Sequence, residues 1–343
     1  MGLNKESGIR IGKGTPGKRN LITDVPGVKV GHITLRDGDR VNTGVTAILP
    51  HEGNLFRDKV MAASAVINGF GKTMGLVQVE ELGTIETPII MTNTLSIGTA
   101  ATALIKYMLE QNADIGLTTG TVNPLVCECN DGGLNDIRGL HVKEEHIFQA
   151  LANASEDFAE GAVGSGTGMR CLGLKGGIGS ASRVVKLDDR DYTIGALVMS
   201  NFGAAGNLMI DGRHVGREIQ EKLDAQKKDQ GSIIMLLATD IPLSERQLKR
   251  VCRRAGVGLA RTGSYYGNGS GDIAIAFTTA NRVPHESESA FVAMKMMDDD
   301  SIDPVLEMSA EAVEEAIISS LWHAKTFTGR DGRIQHGLRE YIG

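Results

Sequence analysis

Apolar residues recur along the chain with two different periods. A spacing of three and four residues, which lines one face of a helix, runs through residues 59–70, 97–111, 145–160, 245–262 and 304–326. Ser244-Glu-Arg-Gln247 opens the fourth of these; Ser244 suits the N-cap and Gln247 the reciprocal position of a capping box. Short apolar or alternating runs at 28–35, 44–49, 75–79, 89–92, 115–118, 194–199, 232–239 and 273–278 read as strands. Helices and strands alternate, yet several strands follow one another directly. That order predicts a layered α+β fold rather than a strictly wound βαβ sheet.

One stretch breaks the pattern. Residues 216–230 are strongly charged and nearly free of core residues after Leu223. The chain then passes through Gly231-Ser232 directly into the apolar run Ile233-Ile-Met-Leu-Leu-Ala238. A solvated linker feeding a buried strand marks an internal boundary between 231 and 232, since such linkers are exposed to cleavage.

That junction has chemical meaning. If the Gly231–Ser232 bond is broken, Ser232 carries a hydroxyl and a free α-amine on one residue. An α-amine titrates near 7.7–8, where a general base at neutral pH is wanted. It can take the hydroxyl proton itself, with no His or Asp. Gly231 leaves room for the hydroxyl to reach its carbonyl. The dipeptide alone decides nothing, because Gly-Ser also occurs at 164–165, 179–180, 263–264 and 269–270.

Composition narrows the alternatives. Hydrophobic residues make up 41% of 343, but aromatics only 4%, so the core is aliphatic. The 44 glycines follow no period and imply tight turns and close backbone approaches. A net charge of −6 offers no footprint for nucleic acid or an anionic membrane. Residues 1–19 contain no apolar signal core, so a cytoplasmic location is expected. Cys127, Cys129, Cys171 and Cys252 do not form a disulfide framework pattern. Cys127-x-Cys129 is the one metal-like spacing and has no further ligands nearby; the histidines show no metal pattern either. Gly164-x-Gly166-x-Gly168 lacks the spacing and context of a phosphate loop and reads as close packing. Gly329-Arg-Asp-Gly332 reads as a turn closing the last helix.

Several segments together resemble the DmpA-type L-aminopeptidase/D-amidase–esterase family, which includes the β-peptidyl aminopeptidases. They are Asn20-Leu-Ile-Thr-Asp-Val-Pro-Gly-Val-Lys-Val-Gly-His32, Glu128-Cys-Asn-Asp-Gly-Gly-Leu-Asn-Asp136, Gly164-Ser-Gly-Thr-Gly-Met169, Lys175-Gly-Gly-Ile-Gly179 and Ser200-Asn-Phe-Gly203. Gly231-Ser-Ile-Ile-Met-Leu-Leu-Ala-Thr-Asp240, Ala260-Arg-Thr-Gly-Ser264, Gly267-Asn-Gly-Ser-Gly-Asp272 and Thr328-Gly-Arg-Asp-Gly332 continue the series in the same order. The likeness spans nearly the whole chain.

The resemblance implies one αββα sandwich over 1–343, layered like N-terminal nucleophile hydrolases but with different strand connectivity. It implies self-cleavage into fragments 1–231 and 232–343, with Ser232 as nucleophile. Ser270 and Asp272 match a second serine and acid beside it; Asp272 stands where the best-known members carry Glu. Asn201 matches an oxyanion-hole asparagine, and Glu128 a carboxylate that holds the substrate's amine. Asn130 stands where members have Tyr or Leu, and Asp131 is a second candidate for the amine. The expected substrates are small peptides, amino-acid amides or esters, with no metal or organic cofactor. The expected assembly is a homo-oligomer, a tetramer of two-fragment units. Two alternatives stay open: an autoprocessed acyltransferase of the ornithine acetyltransferase type, whose nucleophile is Thr, and a member that never matures.

Overall fold

The computed structural model describes residues 7–223 and 231–342, together with Leu3. In chain order the elements are β1 (Lys29–Asp37), β2 (Val41–Leu49), β3 (Asp58–Gly69), α1 (Leu76–Leu82), β4 (Thr84–Ile85), β5 (Ile89–Asn93), α2 (Ile97–Gln111), β6 (Leu125–Cys129) and α3 (Glu144–Ala152). There follow β7 (Arg170–Cys171), β8 (Leu174–Lys175), β9 (Gly177–Leu187), β10 (Arg190–Asn201), α4 (Gly216–Lys222), β11 (Gly231–Thr239) and α5 (Glu245–Arg261). The chain closes with β12 (Ser270–Pro284), α6 (Asp303–His323), β13 (Phe327–Thr328), β14 (Ile334–Gln335) and α7 (Arg339–Ile342).

Two sheets carry the fold. One has the order β1-β2-β5-β6, the other β4-β3-β12-β11-β10-β9. β11 shows why they stack. Because side chains alternate along a strand, Ile234, Leu236 and Ala238 face the space between the sheets, where they meet Ile48, Ile89 and Cys127 of the smaller sheet. Ile233, Met235 and Leu237 face the other way, onto Val251, Cys252 and Ala255 of α5 and Val313 and Ile317 of α6. The outer face of the smaller sheet is covered by α2 and α3, through Ala103, Leu104, Ile147 and Leu151 on Val45, Ile90 and Val126. The layers are therefore α2/α3, sheet, sheet, α5/α6: the expected αββα sandwich. Parallel pairs occur at β5–β6 and β11–β12, each joined through a helix, and the remaining pairs are antiparallel.

Three predicted elements have the wrong type. Residues 59–70 form strand β3, not a helix, although Ala62, Ala63 and Ala65 favour helix. Pairing with β12 over most of its length overrides that preference, and its small side chains let α5 approach. Residues 75–79 belong to helix α1 rather than a strand; Gly75 at φ +94 starts it and Gly83 at φ +65 ends it. Residues 115–118 form no strand, because Asp114 O gathers the N–H groups of Leu117, Thr118 and Thr119 into a turn.

Other boundaries moved for local reasons. The helix expected over 145–160 ends at Ala152, after which Ser155 bridges to Val30 at the edge of β1. The first half of the charged segment is helix α4, seated by Gly216 and Ile219; residues 224–230 lie outside the described residues. The Ser244 cap forms as expected, with Gln247 N donating to Ser244 Oγ at 3.3 Å and Ser244 N to Gln247 Oε1 at 3.1 Å. Gly164 and Gly168 pack against β2, where added Cβ atoms would come within 2.5 Å of Thr46 Oγ1 and Asn42 O. Gly329–Gly332 does not cap a helix, since α6 ends at His323; it is the turn of the β13–β14 hairpin.

Candidate active site

The working ends of four strands converge at one rim of the sandwich. Ser232 is the second residue of β11 and pairs across the ladder with Asn201, the last residue of β10. On its other side Ser232 pairs with Gly271 of β12, and Gly231 with Ser270. Glu128 lies near the end of β6 in the facing sheet. A cavity of about 990 Å³ opens there, lined by Glu128, Asn130, Asn201, Gly231 and Ser232, with Arg170 on a further wall.

Gly231 is fixed by geometry. Its φ is +144, and an added Cβ would lie 1.9 Å from Asn201 O. Only glycine fits so near the β10 backbone. Ser232, 6% exposed, donates its hydroxyl to Gly231 O at 2.6 Å. The hydroxyl is thus held against the carbonyl that it would have to attack.

Asn201 is oriented from both sides. Its Oδ1 accepts from Arg170 N at 3.0 Å, and its Nδ2 donates to Asn130 O at 3.1 Å. The second Nδ2 hydrogen is available to a bound carbonyl oxygen. Glu128 is 3% exposed; Oε1 accepts from Lys72 N at 2.8 Å, and Oε2 accepts from Thr94 Oγ1. An acceptor-only carboxylate at a cavity wall is suited to an ammonium group.

Ser270 and Asp272 meet each other, with Ser270 Oγ donating to Asp272 Oδ1 at 2.7 Å. Both are buried, and Gly269 rather than either of them forms the cavity wall. Asn130 lines the cavity, though its side-chain oxygen is taken by Gly132 N at 2.9 Å. Asp131 does not reach the cavity. It is fully buried, its Oδ1 accepts from Asn135 Nδ2 at 3.1 Å, and burial raises its pKa to about 7. A carboxyl in that position organises the 131–135 turn and is unavailable to a substrate amine.

The chain resembles known proteins along almost its whole length. The Peptidase family S58 model matches residues 20–335. The chain belongs to peptidase family S58. The β-peptidyl aminopeptidase BapA of Sphingosinicella microcystinivorans is 40% identical over 93% of this chain and 85% of its own. A β-aminopeptidase from a Burkholderia species superposes with TM-score 0.93 at 41% identity, covering 99% of this chain and 96% of that one. The L-aminopeptidase D-Ala-esterase/amidase of Ochrobactrum anthropi, described as a prototype serine aminopeptidase with a variant Ntn hydrolase fold, superposes with TM-score 0.89 at 38% identity, over 96% and 94% of the two chains. Membership of S58 makes this chain a peptidase of the aminopeptidase/amidase type, built on that variant fold.

Sequence reasoning missed several residues at the rim. Lys72 and Thr94 hold Glu128 through a main-chain N–H and a hydroxyl, and neither lies in a recognisable motif. Arg170 holds Asn201 through its backbone and shows its side chain to the cavity. Lys175, the first residue of the Lys175–Gly179 motif, is fully buried and gives its ammonium to Gly166 O, Met169 O and Gly176 O at 3.1, 2.8 and 2.6 Å. Burial lowers its pKa to about 7, and its three carbonyl acceptors bind the turn that carries Arg170.

Proposed function

We propose that this chain is the precursor of a serine aminopeptidase that matures by cutting itself between Gly231 and Ser232. The observation that carries the proposal is the Ser232 hydroxyl seated on the Gly231 carbonyl, at a strand end where Gly231 alone can fit. Ser232 Oγ bonds to the Gly231 carbonyl carbon as the bond to the Ser232 nitrogen breaks. This leaves an ester and a free α-amine. Water then splits the ester, giving a Gly231 carboxylate and an N-terminal Ser232.

The same hydroxyl next attacks the carbonyl after a substrate's first residue, and the Ser232 amine takes its proton. Asn201 Nδ2 stabilises the developing oxyanion, assisted by main-chain N–H at Asn130; one such donor contributes about 3 kcal/mol. Glu128 holds the substrate's ammonium and so fixes cleavage at the first residue. Ser270 and Asp272 brace the start of β12 beside Gly231 and Ser232 and orient the new N-terminus. A second water releases the acyl group. The relatives named as β-aminopeptidases bring N-terminal β-amino acids into the substrate range to be tried.

Intact mass and N-terminal sequencing test the proposal. Two fragments are expected, one beginning Ser-Ile-Ile-Met-Leu, while Ser232→Ala stays whole. A wild-type chain that remains at 36.5 kDa after long incubation removes the terminal amine and the mechanism with it. Acetyl transfer from N-acetylornithine without peptide hydrolysis would instead favour the acyltransferase. A homo-oligomer of two-fragment units is part of the proposal, and light scattering giving the mass of a single unit would overturn that part.

A further inference from the structure

The cavity that holds Ser232 is lined by charges of both signs. Glu128 is the one carboxylate among its described lining residues, with Lys72 beside it on the same wall, while Arg138, Arg170 and Arg330 are further cationic residues of the lining. Asn201 touches the backbone of both walls, Asn130 on the Glu128 side and Arg170 on the other. The reacting centre therefore lies between the segment that carries Glu128 and the one that carries Arg170.

Arg170 is the unusual member. It is partly buried, with its guanidinium laid along Gly133, where an added Cβ would lie 2.5 Å from Nε. Burial lowers its pKa, and the nearby Arg333 lowers it further. No carboxylate pairs with its side chain among the described residues. Its neighbours give little compensation. Arg330 Nε is buried without a hydrogen bond and lies 3.6 Å from Asp331 Oδ2, and that exposed carboxylate is shared with Arg333 at 3.9 Å. His336 is paired to Glu340 at 2.7 Å. A partly desolvated guanidinium beside a second one costs stability unless an anion joins it. Its planar fork is matched to a carboxylate.

We propose that Arg170 binds a carboxylate on the leaving-group side of the scissile bond, making short peptides with an anionic leaving residue the preferred substrates. This rests on the aminopeptidase reading above, which puts the ammonium at Glu128 and hence the leaving residue at the opposite wall. Two groups present the same chemistry there: the free C-terminal carboxylate of a dipeptide, and the side chain of an acidic leaving residue.

The test compares substrates that share one N-terminal residue: the Gly dipeptide acid, its C-terminal amide, and the Asp and Asn dipeptide amides. The acid is expected to exceed its amide in kcat/KM by about 10- to 100-fold, mostly through KM, the usual range for a charge-assisted contact. A gain for Asp over Asn amide extends recognition to side-chain carboxylates; equal rates for that pair confine it to the main chain, and either result with the first ratio supports the proposal. Arg170→Gln should bring the acid/amide ratio close to one, and Arg170→Lys should restore part of it. A wild-type ratio near one, or a loss in Arg170→Gln that is equal for acid and amide, overturns it. If no peptide is cleaved, the aminopeptidase reading fails separately. Calorimetry with the wild-type protein, which then turns nothing over, decides for Arg170: tighter binding of the acid than of the amide supports it, and equal binding overturns it.

Discussion

Replacing Gly231 with alanine probes maturation at its most constrained atom. A Cβ there would meet Asn201 O at 1.9 Å, Asn201 C at 2.8 Å and Phe202 Cα at 2.9 Å, all of them main chain of β10 or its continuation. No rotamer change relieves a contact with backbone. Carbon–oxygen contacts relax only near about 3.3 Å, so the start of β11 must retreat by roughly 1.4 Å, the difference between that separation and 1.9 Å. A misplacement of about 1 Å in a reacting pair costs on the order of 100-fold. Strain at φ +144 adds a further cost of about 1–3 kcal/mol in stability. We expect Gly231→Ala to slow the appearance of the 232–343 fragment at least about 100-fold by time-resolved mass spectrometry. Gly212→Ala is the control, since Gly212 sits at φ +72 with nothing within 4 Å of an added Cβ. It should lower the melting temperature while cutting at the wild-type rate. A Gly231→Ala protein that cuts as fast as wild type would refute the argument from close approach.

Three further perturbations separate the roles at the rim. Asn201→Ala removes the amide donor and should lower kcat of processed enzyme by about 100- to 1,000-fold with little change in KM; a change confined to KM would make Asn201 a binding residue. Glu128→Gln should raise KM for substrates with a free amine by about 10- to 100-fold, and an unchanged KM would remove Glu128 from amine recognition. Burial raises the pKa of Glu160 from 4.5 to about 8, so the native state keeps a proton that the unfolded chain releases above 4.5. Its contribution is full below pH 4.5 and is lost as pH rises through 8. Glu160→Gln keeps an acceptor for Ser180 N and Ser319 Oγ and should flatten the fall in melting temperature over that range; parallel slopes for the two proteins would contradict it.

What the sequence revealed follows from where information is local. The Ser244 cap, the 97–111 helix and the apolar run after Gly231 each depend on neighbouring residues, and each formed close to its expected place. β9 went unread because Gly177, Gly179, Ser180 and Ser182 look like loop residues. Their smallness is a tertiary requirement: a Cβ on Gly179 would lie 2.0 Å from Ala316 O of α6. β3 failed for the related reason that alanine serves a crowded strand as well as a helix. The site divides in the same way. Ser232, Asn201 and Glu128 are legible through their motifs, and they do share one cavity. That Asp131 turns inward while Arg170 turns outward depends on Asn135 and Gly133, and no local pattern distinguishes the two.

The arrangement also accounts for how one serine could serve two reactions. In the intact chain the Ser232 hydroxyl is committed to its own carbonyl, and Asn201 is held by β7 on one side and the end of β6 on the other. Neither support depends on the Gly231–Ser232 bond. β11 is fixed downstream by its pairing with β10 and β12 from Ile233 to Thr239. Breaking that bond therefore frees a carbonyl site and an amine without releasing the strand that places the hydroxyl. In the proposed cut, the Gly231 carbonyl that accepts from the Ser232 hydroxyl gives up the place that a substrate carbonyl would then take. On the proposed reading, Glu128 and Arg170 would then set which substrates bind there.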